Sequence, residues 1–214
     1  DSTGRGFAFD AKDLRPNTRY ELALMEGETR LTDSWFLSTM PDPKSRPEHL
    51  RLLIFTCAGG HPLMSEGEQS PFLPQSTRRR LLQRGLSFKP HAMIAIGDHV
   101  YWDLRGESSP PVGRNSKLIK FFLGGYLRLR YGAFNRLESA DSEKNESVLK
   151  KIGNEQIASL YGTRFKSIPI FFIPDDHDYF ENDDAEEEIV TFPADKFSKG
   201  AFKKMADLFY PCLL

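Results

Sequence analysis

His91-Ala92-Met93-Ile94-Ala95-Ile96-Gly97-Asp98-His99-Val100-Tyr101 runs through five apolar residues, breaks at a glycine and turns polar at once. A strand with one wet face alternates polar and apolar residues, because successive side chains point to opposite faces. This run does not alternate, so it reads as a strand buried on both faces, the habit of parallel sheets. Two other segments share the pattern. Leu50-Arg51-Leu52-Leu53-Ile54-Phe55-Thr56-Cys57 comes before it and ends in Ala58-Gly59-Gly60, and Ile168-Pro169-Ile170-Phe171-Phe172-Ile173-Pro174 comes after it. Between the first two, the Arg- and Leu-rich stretch from Gln75 to Leu86 predicts a helix that closes at Gly85. Strand, helix, strand is a βαβ unit, and the expected class is α/β.

The rest of the chain is arranged around that unit. Residues 104–167 form a long excursion. Its segment from Lys117 to Leu137 has helical spacing, with Leu118, Phe121, Phe122, Leu129 and Phe134 near one side and Gly124-Gly125 weakening its middle. Ser139 to Val148 is polar and reads as exposed, and Ile152 to Tyr161 reads as a short helix ended by Gly162. Asp183 to Glu188 is an acidic loop, and a last helix is expected from Pro193 to Phe209, before Pro211. At the other end, Leu14-Arg15-Pro16-Asn17-Thr18-Arg19-Tyr20 and Trp35-Phe36-Leu37 look like the last strands of a fibronectin type III-like β-sandwich, with Tyr20 placed as in a tyrosine corner. Pro41, Pro43 and Pro47 mark a linker, because proline fits neither a helix interior nor a central strand. The expected division is therefore a β-sandwich remnant over residues 1–43 and an α/β domain over 44–214.

Composition excludes several classes. The 214 residues carry 29 Lys+Arg against 30 Asp+Glu, a net charge of −1, which argues against a dedicated nucleic-acid binder. Hydrophobic residues are 39% and aromatics 12%, enough for a core rather than a disordered chain. No apolar run approaches the ~18 residues of a membrane span. Two cysteines make no disulfide framework, although one Cys57–Cys212 bridge is open to the chain. The middle is basic and the C-terminal part acidic, and surface clustering accounts for that as readily as a site does.

Chemistry is concentrated where the three strands end. They finish in Thr56-Cys57, in Gly97-Asp98-His99-Val100-Tyr101-Trp102-Asp103, and in Asp175-Asp176-His177-Asp178 with Asn182 close behind. Ligands of open α/β sheets bind outside the carboxyl ends of the strands, so these groups are expected to converge. Carboxylates crowded together repel unless cations lie between them. Carboxylate and amide oxygens are hard ligands, while a phenolate and a thiolate add anionic charge that suits iron better than magnesium. Asp98, Asp176 and His177 carry this expectation. Asp103, Asp175 and Asp178 are read as caps of turns or helices instead, and His99 as packing against the opposite face. Arg78-Arg79-Arg80 reads as a solvated charge run, His61 as a loop residue, and Arg128 or Arg130 as remote candidates for binding phosphate.

Gly97-Asp98-His99-Val100-Tyr101 and Asp175-Asp176-His177-Asp178 with Asn182 resemble motifs of the alkaline phosphatase D (PhoD-like) branch of the calcineurin-like metallophosphoesterases. Phe55-Thr56-Cys57 is similar to that branch's first motif, with Thr in place of Ser, and the resemblance covers roughly residues 5–190. It implies a partial metallophosphoesterase sandwich after the fibronectin type III-like remnant, and hydrolysis of phosphate mono- or diesters. It implies iron and calcium as cofactors and a phosphate ester as the substrate. Asp98 would bridge the metals, Cys57 and Tyr101 would bind iron, and Asp176 and Asn182 would complete the ligands present. His177 would steady the developing charge or protonate the leaving oxygen.

The pattern also departs from the family. Its members take further ligands from a later Gly-His-x-His-type motif, and none of the five histidines here follows Asp178. The chain also opens on Asp1. The expectation is a fragment of a longer secreted or periplasmic enzyme, inactive alone. The alternatives are a non-catalytic envelope or adhesion protein with a degenerate phosphatase domain and, on the His177-Asp178 pair, an HD-type phosphohydrolase.

Overall fold

The computed structural model describes residues 9–56, 73–101, 128–180 and 196–210. Its centre is a parallel sheet of three strands in sequential order, β5 (Leu52–Thr56), β6 (Ala92–Ile96) and β7 (Ile170–Ile173). Leu53 pairs with Met93, Phe55 with Ala95 and Ala95 with Phe172, so Leu53, Phe55, Met93, Ala95, Ile170 and Phe172 share one face. Among the described residues, helices α1 (Gln75–Ser87), α2 (Glu143–Gly153), the single turn α3 (Ser159–Tyr161) and α4 (Lys196–Phe209) accompany the sheet. Leu82 of α1, Leu149 and Ile152 of α2 and Met205 of α4 join Met93, Ala95 and Phe172 in one core. The α/β class and the parallel sheet follow the expectation.

Burial on both faces does not. Leu52 is 44% exposed and Ile54 56%, and Ile96 on the same face is exposed as well. A parallel sheet is buried on both sides only when helices cover both. Among the described residues, the helices named here share the core with the Met93 face. A continuous apolar run thus marks the outer face as cohesive without saying what covers it.

Four local expectations are also corrected. Helix α1 does not close at Gly85 but runs on to Ser87, and Gly85 is buried where a Cβ would meet the Leu53 side chain at 2.7 Å. The glycine brings helix and strand together rather than ending the helix. Ser139 to Val148 is not an exposed stretch. Ser142 caps α2 through a bond from the Asn145 backbone N–H, and Asn145, Val148, Leu149, Ile152 and Gly153 form its buried face at helical spacing. The expected helix from Ile152 to Tyr161 is the tail of α2, prolonged through a π-helical turn at Asn154–Ala158 to α3, and Gly162, at φ +54°, ends it. In the Lys117–Leu137 segment, of which residues 117–127 lie outside the described residues, helix is present at 128–131 and gives way at Gly132, with φ +97°.

Charges tie α2 to α4. Lys204 is buried on α4 and binds Glu146 of α2 at 2.8 Å, while Lys150 pairs with the same carboxylate one turn along. The N-terminal part holds an antiparallel pair, β1 (Arg19–Leu22) with β4 (Trp35–Ser38), and a small hairpin, β2 (Met25–Glu26) with β3 (Thr29–Arg30). The Tyr20 hydroxyl accepts a bond from the Arg15 backbone N–H at 2.8 Å, the bond back to upstream backbone expected of Tyr20.

Candidate metal centre

The β6 strand ends at Gly97, which turns to φ +60° and donates its N–H to the Ile173 carbonyl on β7 at 2.7 Å. A Cβ on Gly97 would lie 2.2 Å from the Asp175 Cβ, so glycine is required both by the angle and by the close approach of the two strand ends. Asp98 follows at φ +57°, a region that costs a non-glycine residue about 1–3 kcal/mol and that recurs at functional sites. The turn carries the Asp98 carboxylate to the β7 end. Tyr101 donates its hydroxyl to Asp98 Oδ2 at 3.1 Å. The Tyr101 backbone is held in turn by Gln156, 1% exposed, whose Oε1 accepts from the Tyr101 N–H at 2.8 Å. Gln156 lies in the π-helical turn, a distortion of the α-helix often found at functional sites.

After β7, Asp175 caps a short 3₁₀ turn, Asp176–Tyr179. The cap is reciprocal: the Asp175 side chain accepts a backbone bond from within the turn, and Asp178 accepts from the Asp175 N–H at 3.0 Å. The turn sets Asp176 and His177 facing Asp98. One donor atom from each of Asp98, Asp176 and His177 lies within 4.8 Å of the others. The His177 ring packs on the Tyr101 ring with centroids 4.4 Å apart, and its Nδ1 is buried with no hydrogen-bond partner among the described residues.

Behind this cluster lies a second polar group. Asp178 is 0% exposed and bonds to the His99 backbone N–H and the Tyr210 hydroxyl, both at 2.9 Å. Burial pushes the Asp178 carboxyl upward, and His99 and the donated bonds oppose that push. Burial also lowers His99 and raises Tyr210. The His99 ring sits edge-on to Phe172 and Tyr210, in the core as expected. The His177-Asp178 pair therefore splits, with His177 at the cluster and Asp178 behind it.

Of the expected site residues, Asp98, Tyr101, Asp176 and His177 come together. Cys57 and Asn182 lie outside the described residues, as do Asp103 and His61. The expected caps at Asp175 and Asp178 are both present. The Arg78-Arg79-Arg80 run is not simply solvated. Arg78 is 7% exposed and donates Nε to the Leu73 carbonyl at 3.0 Å, and Arg79 binds the Ser159 carbonyl beyond the π-helical turn. Its burial lowers the Arg78 guanidinium, and nearby Tyr101 and Tyr161 raise it. Sequence reading missed Gln156 and Tyr210, whose contacts span 55 and 32 residues and leave no local trace. No protein-family model, curated protein or solved structure matches the chain.

Proposed function

We propose that the protein is a metal-dependent phosphoesterase, with its centre at the carboxyl ends of β6 and β7. The observation that carries the proposal is the meeting of Asp98, Asp176 and His177 within 4.8 Å, from strand ends almost 80 residues apart in sequence. The donor set fits a cation: two hard carboxylates and an imidazole whose Nδ1 is buried without a partner among the described residues. Tyr101, at 3.1 Å from Asp98, offers a phenolic oxygen to the same place and favours iron as one of the metals. Cys57 and Asn182 are assigned to this centre by their place in the sequence, and calcium by the resemblance described above. Bound cations would supply Lewis acidity, activating water and offsetting charge on the phosphoryl oxygens.

The chain's own residues then divide the work. Asp98 and Asp176 hold charge at the centre, and the strained turn at Gly97-Asp98 fixes where that charge sits. His177, restrained by the Tyr101 ring, offers one ring nitrogen to the cation and, through the N–H of the other, balances charge on the leaving oxygen. Residues 1–43 are read as the end of a fibronectin type III-like module, supported by the Tyr20–Arg15 bond.

The test is turnover of a chromogenic phosphodiester and a phosphomonoester by the full-length protein with iron and calcium. Turnover that chelator abolishes and metal restores is expected, together with its loss in His177→Ala. No turnover of either ester, or turnover indifferent to chelator, would refute the proposal.

A further inference from the structure

The geometry points to Asp178 as the positioning residue of the centre, a buried carboxylate that locks the β6 turn and the β7 turn into one arrangement. This inference rests on the metal reading of Asp98, Asp176 and His177. Each partner of Asp178 adjoins a member of that cluster. His99, which follows Asp98, donates its backbone N–H to Oδ1. Asp175, which precedes Asp176, donates its backbone N–H to Oδ2. Asp178 itself follows His177. Both oxygens are therefore engaged by the two ligand-bearing turns at once, and Tyr210 on the residue after α4 adds a third bond.

The Tyr101 and His177 rings also touch across the two turns, but Asp178 joins the turns through their backbones. The Gly97 N–H to Ile173 carbonyl bond aligns the strands themselves, before either ligand is reached. Past it, Asp98 adopts a left-handed backbone, which a residue with a Cβ enters only at a cost even where, as for Asp, it is tolerated. A buried carboxylate accepting backbone N–H groups forms stronger bonds than a neutral acceptor does. Groups that orient metal ligands in this manner commonly change metal affinity by about 10–100-fold when altered.

Chemistry separates the two contributions. In Asp178→Asn one oxygen becomes an NH2 group, which cannot accept from either backbone N–H. One turn must therefore lose its anchor, with no change in shape. In Tyr210→Phe both backbone anchors remain and only the hydroxyl bond is lost.

The experiment compares wild type, Asp178→Asn and Tyr210→Phe in two assays on the full-length protein. The first is amide hydrogen exchange. In the wild type, the His99 and Asp175 amides should exchange as slowly as core amides such as Ala95. In Asp178→Asn at least one of the two should speed up by about tenfold or more, the scale of losing a bond to a charged acceptor. In Tyr210→Phe neither should. The second is manganese or iron(II) binding by titration calorimetry, where Asp178→Asn should bind about 10–100-fold more weakly and Tyr210→Phe close to wild type. Wild-type His99 and Asp175 amides that exchange freely would overturn the inference, even if Asp178→Asn does not fold. Equal metal affinity in wild type and Asp178→Asn would overturn it too. A wild type that binds no metal refutes the functional reading instead, and the exchange assay then still decides whether Asp178 joins the turns.

Discussion

Replacing Gly97 by alanine inserts one methyl group at the narrowest point between the β6 and β7 ends. The new Cβ would lie 2.2 Å from the Asp175 Cβ and 3.1 Å from its backbone nitrogen. Carbon atoms rest at about 3.5–4.0 Å, so the strand ends must separate by more than an ångström. Overpacking of that kind costs about 1–3 kcal/mol. The left-handed backbone at φ +60° adds roughly 1–2 kcal/mol once a Cβ is present. A stiffer unfolded chain returns about 0.4–1 kcal/mol. The net loss is about 1–5 kcal/mol, centred near ~3 kcal/mol. With a mid-range urea slope of about 2 kcal/mol/M, the unfolding midpoint should fall by about 1.5 M. Gly132→Ala is the control. Its φ is also positive, at +97°, but its Cβ would meet only a Val148 methyl at 3.3 Å, so it tests strain without the collision. Urea unfolding followed by circular dichroism should rank Gly97→Ala well below Gly132→Ala. Equal midpoints for the two variants would refute the close approach on which the site's geometry depends.

Glu146 gives a pH dependence with a definite sign. Bonds from Lys150 and Lys204 hold its carboxyl below the ordinary value, so its stabilising effect is complete above the unfolded pKa and is lost as the pH falls through the folded one. Lys204 is raised above its ordinary value, mainly by its bond to Glu146, and that contribution is lost only as the pH rises through the folded value. The stability difference between wild type and Glu146→Gln should be flat near neutrality and shrink in acid as the pH falls through the lowered folded value, as read from thermal melts across the range. A difference that grows on acidification would contradict the pairing. Cys57, as a thiolate ligand, should resist alkylation until chelator is added, because a cation lowers its pKa and occupies its sulfur. Equal labelling with and without chelator, or a native disulfide to Cys212, would remove it from the centre.

The sheet was legible because an unalternated apolar run bounded by glycine or proline admits few other readings. The cluster was legible because the topology of parallel strands sends all carboxyl ends to one edge, so Asp98, Asp176 and His177 needed no local signal to meet. What escaped the sequence was polar residues used inside. Asn145 counts as hydrophilic, yet it is fully buried and bonds to the Asn135 and Ser139 carbonyls. Hydropathy therefore hid the first two turns of α2. The guanidinium of Arg78 satisfies the Leu73 carbonyl beneath the protein surface, where a run of three arginines suggested open solvent. Gly85 was misread because a glycine that ends a helix and one that admits a neighbouring strand look alike in sequence. Gln156 and Tyr210 act across the fold, and only the assembled structure brings them to the centre.

The central claim is that Asp98, Asp176 and His177 hold a metal. Elemental analysis of the full-length protein after dialysis against trace iron and calcium tests it most directly, with Asp98→Asn run beside the wild type. The wild type should retain metal at whole-number stoichiometry. Asp98→Asn should lose most of it while keeping its circular dichroism spectrum, since the amide preserves shape and removes only charge. Equal metal content in the two proteins would contradict the account.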